Sequence, residues 1–227
     1  MTHTYKKGKL IFPSVTTIIG DSSSKQALVQ WSANATRDFI VEHFEQMQGM
    51  GIDNCLNAAR FDYRRLSREA LDIGSEVHAL IERDLIYDSQ QLIFSNHPET
   101  MKCYEAWLKF WAAHELKAEK VEFTVYGDCW AGTMDFKGYL DGVPTLLDWK
   151  TSKKIYMDSM GPQIASYWAA DNRWAERAGI LRLDKVSGEY EIKILKPKRL
   201  EKYYREFGFM LELYMERHPI IARRAKK

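Results

Sequence analysis

Cysteine is scarce in this chain of 227 residues: Cys55, Cys103 and Cys129 stand far apart, with no CxxC pair. That spacing argues against a zinc ribbon and against a four-cysteine iron–sulfur cluster, and it predicts reduced thiols in a cytosolic setting. Excess charge is lacking too. Lysine and arginine number 33 against 31 acidic residues, a net charge of +2. Composition therefore does not mark a nucleic-acid binder, and any basic surface must be local. No N-terminal apolar run resembles a signal peptide, and no segment is long and apolar enough to span a membrane. Internal repeats and low-complexity linkers are absent. What is present is a globular composition, 45% hydrophobic and 28% charged, in a length sufficient for one domain with a sizeable core, or for a core plus a helical cap.

The pattern is helical first. Residues 1–10 are polar and basic, a loose arm or a short edge strand. Ser14 follows Pro13 and precedes Val-Thr-Thr-Ile-Ile, which suits an N-cap, with Gly20 closing a short helix. Lys25 to about Gln48 carries apolar residues at helical spacing, and Gly49-Met-Gly51 breaks it. Asp53 is placed to cap a second helix, and a third spans Tyr63–Leu85. Tyr87–His97 reads as a polar loop, and Pro98 opens a helix with Tyr104, Trp107, Leu108 and Trp111 as its stripe. The period then switches to two: Lys120–Tyr126, Trp130–Leu140 and Pro144–Thr151 read as strands. Gly161-Pro162 opens a helix to about Ala178, Ile180–Val186 and Tyr190–Leu195 form a hairpin, and Lys198–Arg217 closes the chain before a basic tail, Arg223–Lys227. This order predicts an α+β (mixed α/β) core behind N-terminal helices.

The most informative stretch is the strand pair around Asp141-Gly142, a dipeptide suited to a type I′ turn. If Leu140 pairs with Val143, counting outward puts Asp135 opposite Asp148, about 4.5 Å apart at Cα in a non-hydrogen-bonded pair. Facing carboxylates repel, so the position calls for a cation. Lys150 shares the face of Asp148, while Leu147 and Trp149 point to the core. Two acidic ligands and a lysine on one face suit a hard divalent metal with a polarised water; ordinary surface charges on a solvent-facing strand are the plain alternative. Glu122, on the preceding strand, either joins this acidic face or is simply exposed. His78, one turn from Gly74, taken alone reads as structural, as do Gln163 and Tyr167 on the following helix. Lys153 and Lys154 either contact phosphates or are solvated. Most of the tryptophans read as core; Trp31 and Trp130 remain candidates for base stacking.

Gly74-Ser-Glu-Val-His78, Gly132-Thr-Met-Asp135, Asp148-Trp-Lys150-Thr-Ser and Gln163-Ile-Ala-Ser-Tyr167, in this order, resemble the PD-(D/E)XK nuclease superfamily. The nearest branch is the RecB-type nuclease domain, which includes phage and mitochondrial single-strand exonucleases. Ser14-Val-Thr-Thr-Ile adds weaker support. The resemblance implies a restriction-endonuclease-like central mixed sheet flanked by helices in a single domain, residues 1–227. Within it, residues 14–118 would form the helical cap and the histidine-bearing helix, 119–195 the catalytic sheet core and 198–217 the closing helix. It implies a Mg²⁺- or Mn²⁺-dependent deoxyribonuclease without an iron–sulfur cluster, an exonuclease acting on single-stranded DNA or a DNA end, in the cytoplasm or, if phage-encoded, the host cytoplasm. Metal ligands would be His78, Asp135, Asp148 and the Trp149 carbonyl, with Glu122 as a further candidate. Lys150 would orient or deprotonate the attacking water, with Gln163 and Tyr167 beside it. Lys153, Lys154 and Trp31 would touch nucleic acid. Asp148 departs from the commoner glutamate as an allowed variant. The alternatives are a non-cleaving binding module on a nuclease fold and a structure-specific endonuclease. Oligomeric state is not implied.

Overall fold

The computed structural model describes residues 4–22, 26–87, 95 and 97–219. The expected C-terminal basic tail and most of the expected 87–97 loop lie outside them. The chain divides into two units, Met1–Ser23 with Glu76–Lys227, and Ser24–Ser75. The smaller unit is helical: α2 (Gln26–Glu42), the short α3 (Phe44–Met47) and the first part of α4 (Ile52–Tyr87). The separate helices expected from Asp53 and from Tyr63 are one 36-residue helix. No proline or glycine interrupts the sequence between them, so nothing breaks the backbone ladder.

The larger unit opens with β1 (Thr4–Lys7), β2 (Leu10–Pro13) and α1 (Val15–Ser22). Ser14 caps α1 as its sequence predicts, its Oγ accepting the Thr17 N–H at 3.0 Å. Gly20 does not end that helix, which runs on to Ser22. After the end of α4 come α5 (Pro98–Ala113), β3 (Leu116–Tyr126), β4 (Ala131–Leu140), β5 (Val143–Lys150), α6 (Met157–Ala170), β6 (Arg177–Leu183), β7 (Tyr190–Leu195) and α7 (Pro197–Arg217). The last five strands form one sheet in the order β3-β4-β5-β6-β7. Only β5 and β6 run parallel, and α6 makes the crossover a parallel pair requires. The chain is therefore mixed α+β, with a central mixed sheet flanked by helices.

Both faces of the sheet are covered, which explains why β5 reads Leu146-Leu147-Asp148-Trp149 rather than alternating cleanly. One face packs Met134, Leu146, Ala178 and Ile180 under α1, α6 and α7. On the other, Trp149 meets Trp107 of α5 at 5.4 Å between ring centroids and Phe136 at 6.0 Å, and Phe110 meets Tyr190 at 5.3 Å. On α5 the buried stripe includes Cys103 and Phe110, while Trp111 is only half-buried.

The expected start of α6 at Gly161-Pro162 is too late. The helix begins at Met157 and carries Pro162 inside it. A proline near the first turn forfeits one backbone bond, and burial of Ile164, Ala165 and Trp168 outweighs that loss. It also ends earlier than expected, at Ala170; Asn172 and Arg173 take positive φ of 54° and 56° and turn the chain into β6.

Candidate metal centre

The β4–β5 hairpin is in the register its sequence predicts. Leu140 pairs with Val143 and Phe136 with Leu147. Asp141 and Gly142 have φ of 52° and 74°, the left-handed pair of a type I′ turn. One expectation fails. The ladder stops at Phe136–Leu147, so Asp135 and Asp148 do not form a ladder pair. Instead the Trp149 N–H donates to Asp135 Oδ2 at 2.7 Å. A side-chain oxygen satisfies that buried N–H.

The pleat is broken at the same place. Met134 belongs to the core under α6, whereas Phe136 packs on Trp149 beyond the other face; regular alternation would keep both on one side. On β3, Val121 pairs with Phe136 and Phe123 with Met134, leaving Glu122 across from Asp135. Glu122 has φ of 45°, a conformation that costs a glutamate on the order of 1–3 kcal/mol and persists only where the surroundings impose it. The alternation of β3 is therefore interrupted at Glu122, which is turned toward the site.

His78 arrives from the C-terminal part of α4. That segment is fixed to α5 by buried Asp84, which accepts from Tyr104 Oη at 2.8 Å and Trp107 Nε1 at 3.1 Å. Its Nδ1 lies 3.1 Å from Glu122 Oε1 and 3.6 Å from Asp135 Oδ1. Ligand-type atoms of His78, Glu122 and Asp135 all fall within 4.8 Å of one another. On β5, Lys150 Nζ is 2.6 Å from Asp148 Oδ2. This is an ion pair outside hydrogen-bond alignment, and buried Oδ2 has no hydrogen-bond partner among the described residues. Gln163 on α6 donates from Nε2 to Asp148 Oδ1 at 3.1 Å and to Tyr167 Oη at 3.3 Å. Tyr167 packs against Gly132, where a Cβ would come within 2.3 Å of its ring.

Burial raises the Asp135 carboxyl to about 7; Asp148 adds to the rise, while His78 and Lys150 oppose it. Burial works against charge on Lys150, but Asp148 and Asp135 outweigh it and its pKa is raised. His78 behaves likewise, held up by Asp135 and Glu122 against burial. The carboxyl groups of Glu122, Asp135 and Asp148 and the His78 imidazole share this space with a single ammonium, a donor set that a divalent cation satisfies. An imidazole with carboxylate oxygens suits Mn²⁺ well and Mg²⁺ acceptably. The residues present thus fit the ion.

Lys153 and Lys154 are exposed in the loop after β5, Lys154 over the Tyr156 ring at 5.2 Å; neither belongs to the cluster. Trp31, on α2 of the smaller unit, is 40% exposed. Trp130 is no stacking platform. It is buried against Phe207 at 5.2 Å, because its large apolar ring fills the gap between sheet and α7. Sequence reasoning missed Tyr5, whose hydroxyl bonds Thr133 Oγ1 at 2.9 Å beside the site. A tyrosine next to lysines in the arm was the available signal.

Fold and site together define a mixed α+β unit with a carboxylate–histidine cluster where its sheet parts. The motifs that carry the resemblance to the PD-(D/E)XK superfamily meet at that point. Two solved structures show partial likeness. One is a phage-related exonuclease from Haemophilus somnus 129PT, at 12% identity and a TM-score of 0.33 over 62% of this chain and 79% of that one. The other is LHK-Exo in complex with dAMP, at 8% identity and a TM-score of 0.30 over 65% and 86%. No protein-family model matches the chain, and no curated protein does. Similarity of this degree leaves the functional reading to rest on the site itself. No helix among the described residues is long and apolar enough to cross a membrane.

Proposed function

We propose that this chain is a metal-dependent deoxyribonuclease of the PD-(D/E)XK type, acting as an exonuclease on single-stranded DNA or a DNA end. The observation that carries the reading is the convergence of His78, Glu122 and Asp135 within 4.8 Å, beside the Asp148–Lys150 pair. His78, Asp135, Asp148 and the Trp149 carbonyl, with Glu122, would hold Mg²⁺ or Mn²⁺. Such an ion supplies an activated water and neutralises charge developing on the phosphate.

The chain's own residues divide the remaining work. Lys150 is kept charged by two buried carboxylates, so it meets the phosphate as a cation and steadies its equatorial oxygens. Gln163 holds Asp148 Oδ1, fixing the carboxylate that Lys150 faces. Tyr167 buttresses Gln163 and is locked in turn by Gly132. Asp135 and Asp148 lie on the buried floor, while His78, Glu122 and Lys150 keep side-chain exposures of 30%, 22% and 22%, leaving one open side for substrate. Lys153 and Lys154 flank the end of β5 and would meet neighbouring phosphates. The division of the chain into cap, sheet core and closing helix belongs to the same proposal.

The test is degradation of end-labelled linear DNA with Mg²⁺ or Mn²⁺ by wild type, Asp148→Ala and Lys150→Ala. Both variants should lose at least about 100-fold in rate, the scale of removing one catalytic group. Equal degradation by all three overturns the reading. Closed circular DNA should resist the wild type, and cutting it would replace exonuclease with endonuclease.

A further inference from the structure

The β1–β2 hairpin has a role that the metal cluster does not account for. Its apolar side chains, Tyr5, Leu10 and Phe12, pack on Tyr126, Cys129 and Ala131, with Phe12 edge-on to Tyr126 at 5.5 Å. Two links tie it to β4. Tyr5 Oη and Thr133 Oγ1 are 2.9 Å apart, and Ser14 forms a parallel bridge to Ala131. Both anchor points lie in Ala131–Thr133, directly before Asp135. The hairpin is thus fixed to the strand segment that leads into the site.

What it presents outward is unbalanced charge. Lys6, Lys7 and Lys9 are exposed, and no acidic residue occurs between Thr4 and Pro13. Among the described residues no carboxylate pairs with any of these lysines, whereas Lys109, Lys137 and Arg182 each meet one. Lys7 Nζ instead lies 4.8 Å over the Tyr126 ring. In a chain with a net charge of only +2, this is a local basic strip on a hairpin tied to the strand that carries Asp135.

We propose that the β1–β2 hairpin binds the sugar-phosphate backbone of the single strand being processed, with Lys6, Lys7 and Lys9 each neutralising a phosphate and Tyr5–Thr133 fixing the strip beside Asp135. The ligand class rests on the nuclease reading; the strip's existence does not. Lysines act as point charges on flexible stems and position a strand without reading its sequence. The strip therefore gives sequence-independent, salt-sensitive affinity.

The experiment is fluorescence anisotropy of a labelled oligothymidylate with the full chain over a range of salt, in EDTA so that no cleavage occurs. Wild type is compared with Lys6→Ala/Lys7→Ala/Lys9→Ala and with a control, Lys193→Ala/Lys196→Ala/Lys198→Ala, exposed residues on and just after β7. The hairpin variant should bind more weakly, and its slope of log K against log salt should shrink by about 2, since each phosphate contact on a single strand contributes about 0.7. The control should match wild type. An unchanged slope in the hairpin variant, or an equal loss in both variants, overturns the proposal. Because binding is read without metal, a chain that binds through the hairpin but never cuts would sink the nuclease reading alone.

Discussion

Replacing Asp135 by asparagine separates what this side chain does for the fold from what it does for a metal. In metal-free protein its carboxyl is raised from an ordinary 3.8 to about 7, by burial first and by Asp148 second. The folded value lies above the unfolded one, so the folded state holds the proton more tightly. Stability therefore falls as pH climbs from about 4 to about 7, and the full penalty stands above that. At 1.36 kcal/mol per pH unit this is on the order of 4 kcal/mol. Asparagine removes the charge, keeps an acceptor for the Trp149 N–H and offers amide hydrogens toward Glu122. Asp135→Asn should then raise the melting temperature in EDTA near pH 8 by roughly 4–10 °C, at about 2–4 °C per kcal/mol for a chain of this size, allowing for some loss in hydrogen bonding. Near pH 4 the difference should be gone. Mn²⁺ at 100 times its Kd should stabilise wild type by about 2.7 kcal/mol and the variant far less. Differential scanning calorimetry in EDTA and in Mn²⁺, at both pH values, decides the matter. A variant less stable than wild type near pH 8 refutes the electrostatic argument; a full Mn²⁺ gain in the variant refutes the ligand assignment.

Gln163→Ala frees Asp148 Oδ1 from its amide partner and should cost about 10–100-fold in metal affinity or rate, as loss of an orienting partner does. Metal titration of the cleavage rate reads this, and wild-type behaviour would show that Asp148 needs no such support. Gly132→Ala forces a Cβ to within 2.3 Å of the buried Tyr167 ring and should destabilise by about 1–3 kcal/mol. Thermal denaturation checks it, and an unchanged melting temperature would mean that the ring moves freely.

The site was legible where its determinants are local. Asp141-Gly142 sets a two-residue turn, and the turn sets the pairing from Leu140–Val143 to Phe136–Leu147. Ser14 caps its helix because its hydroxyl reaches the Thr17 N–H from three residues away. The four motifs suggested a common site but could not show how they meet. Glu122 could not be decided, because its left-handed backbone answers to Asp135 and His78, not to its neighbours in sequence.

The sequence by itself thus determined most of the elements, the turn and the register of one strand pair, since each follows from residues close along the chain. The tertiary structure alone decided that the ladder opens after Phe136–Leu147, so that Asp135 takes the Trp149 N–H. It alone decided that one long helix carries His78 to Glu122, and that β5 and β6 run parallel through α6, which brings Gln163 onto Asp148. These depend on which surfaces bury against which, and on where buried charges find partners. A one-dimensional period of two or of 3.6 carries no information about either.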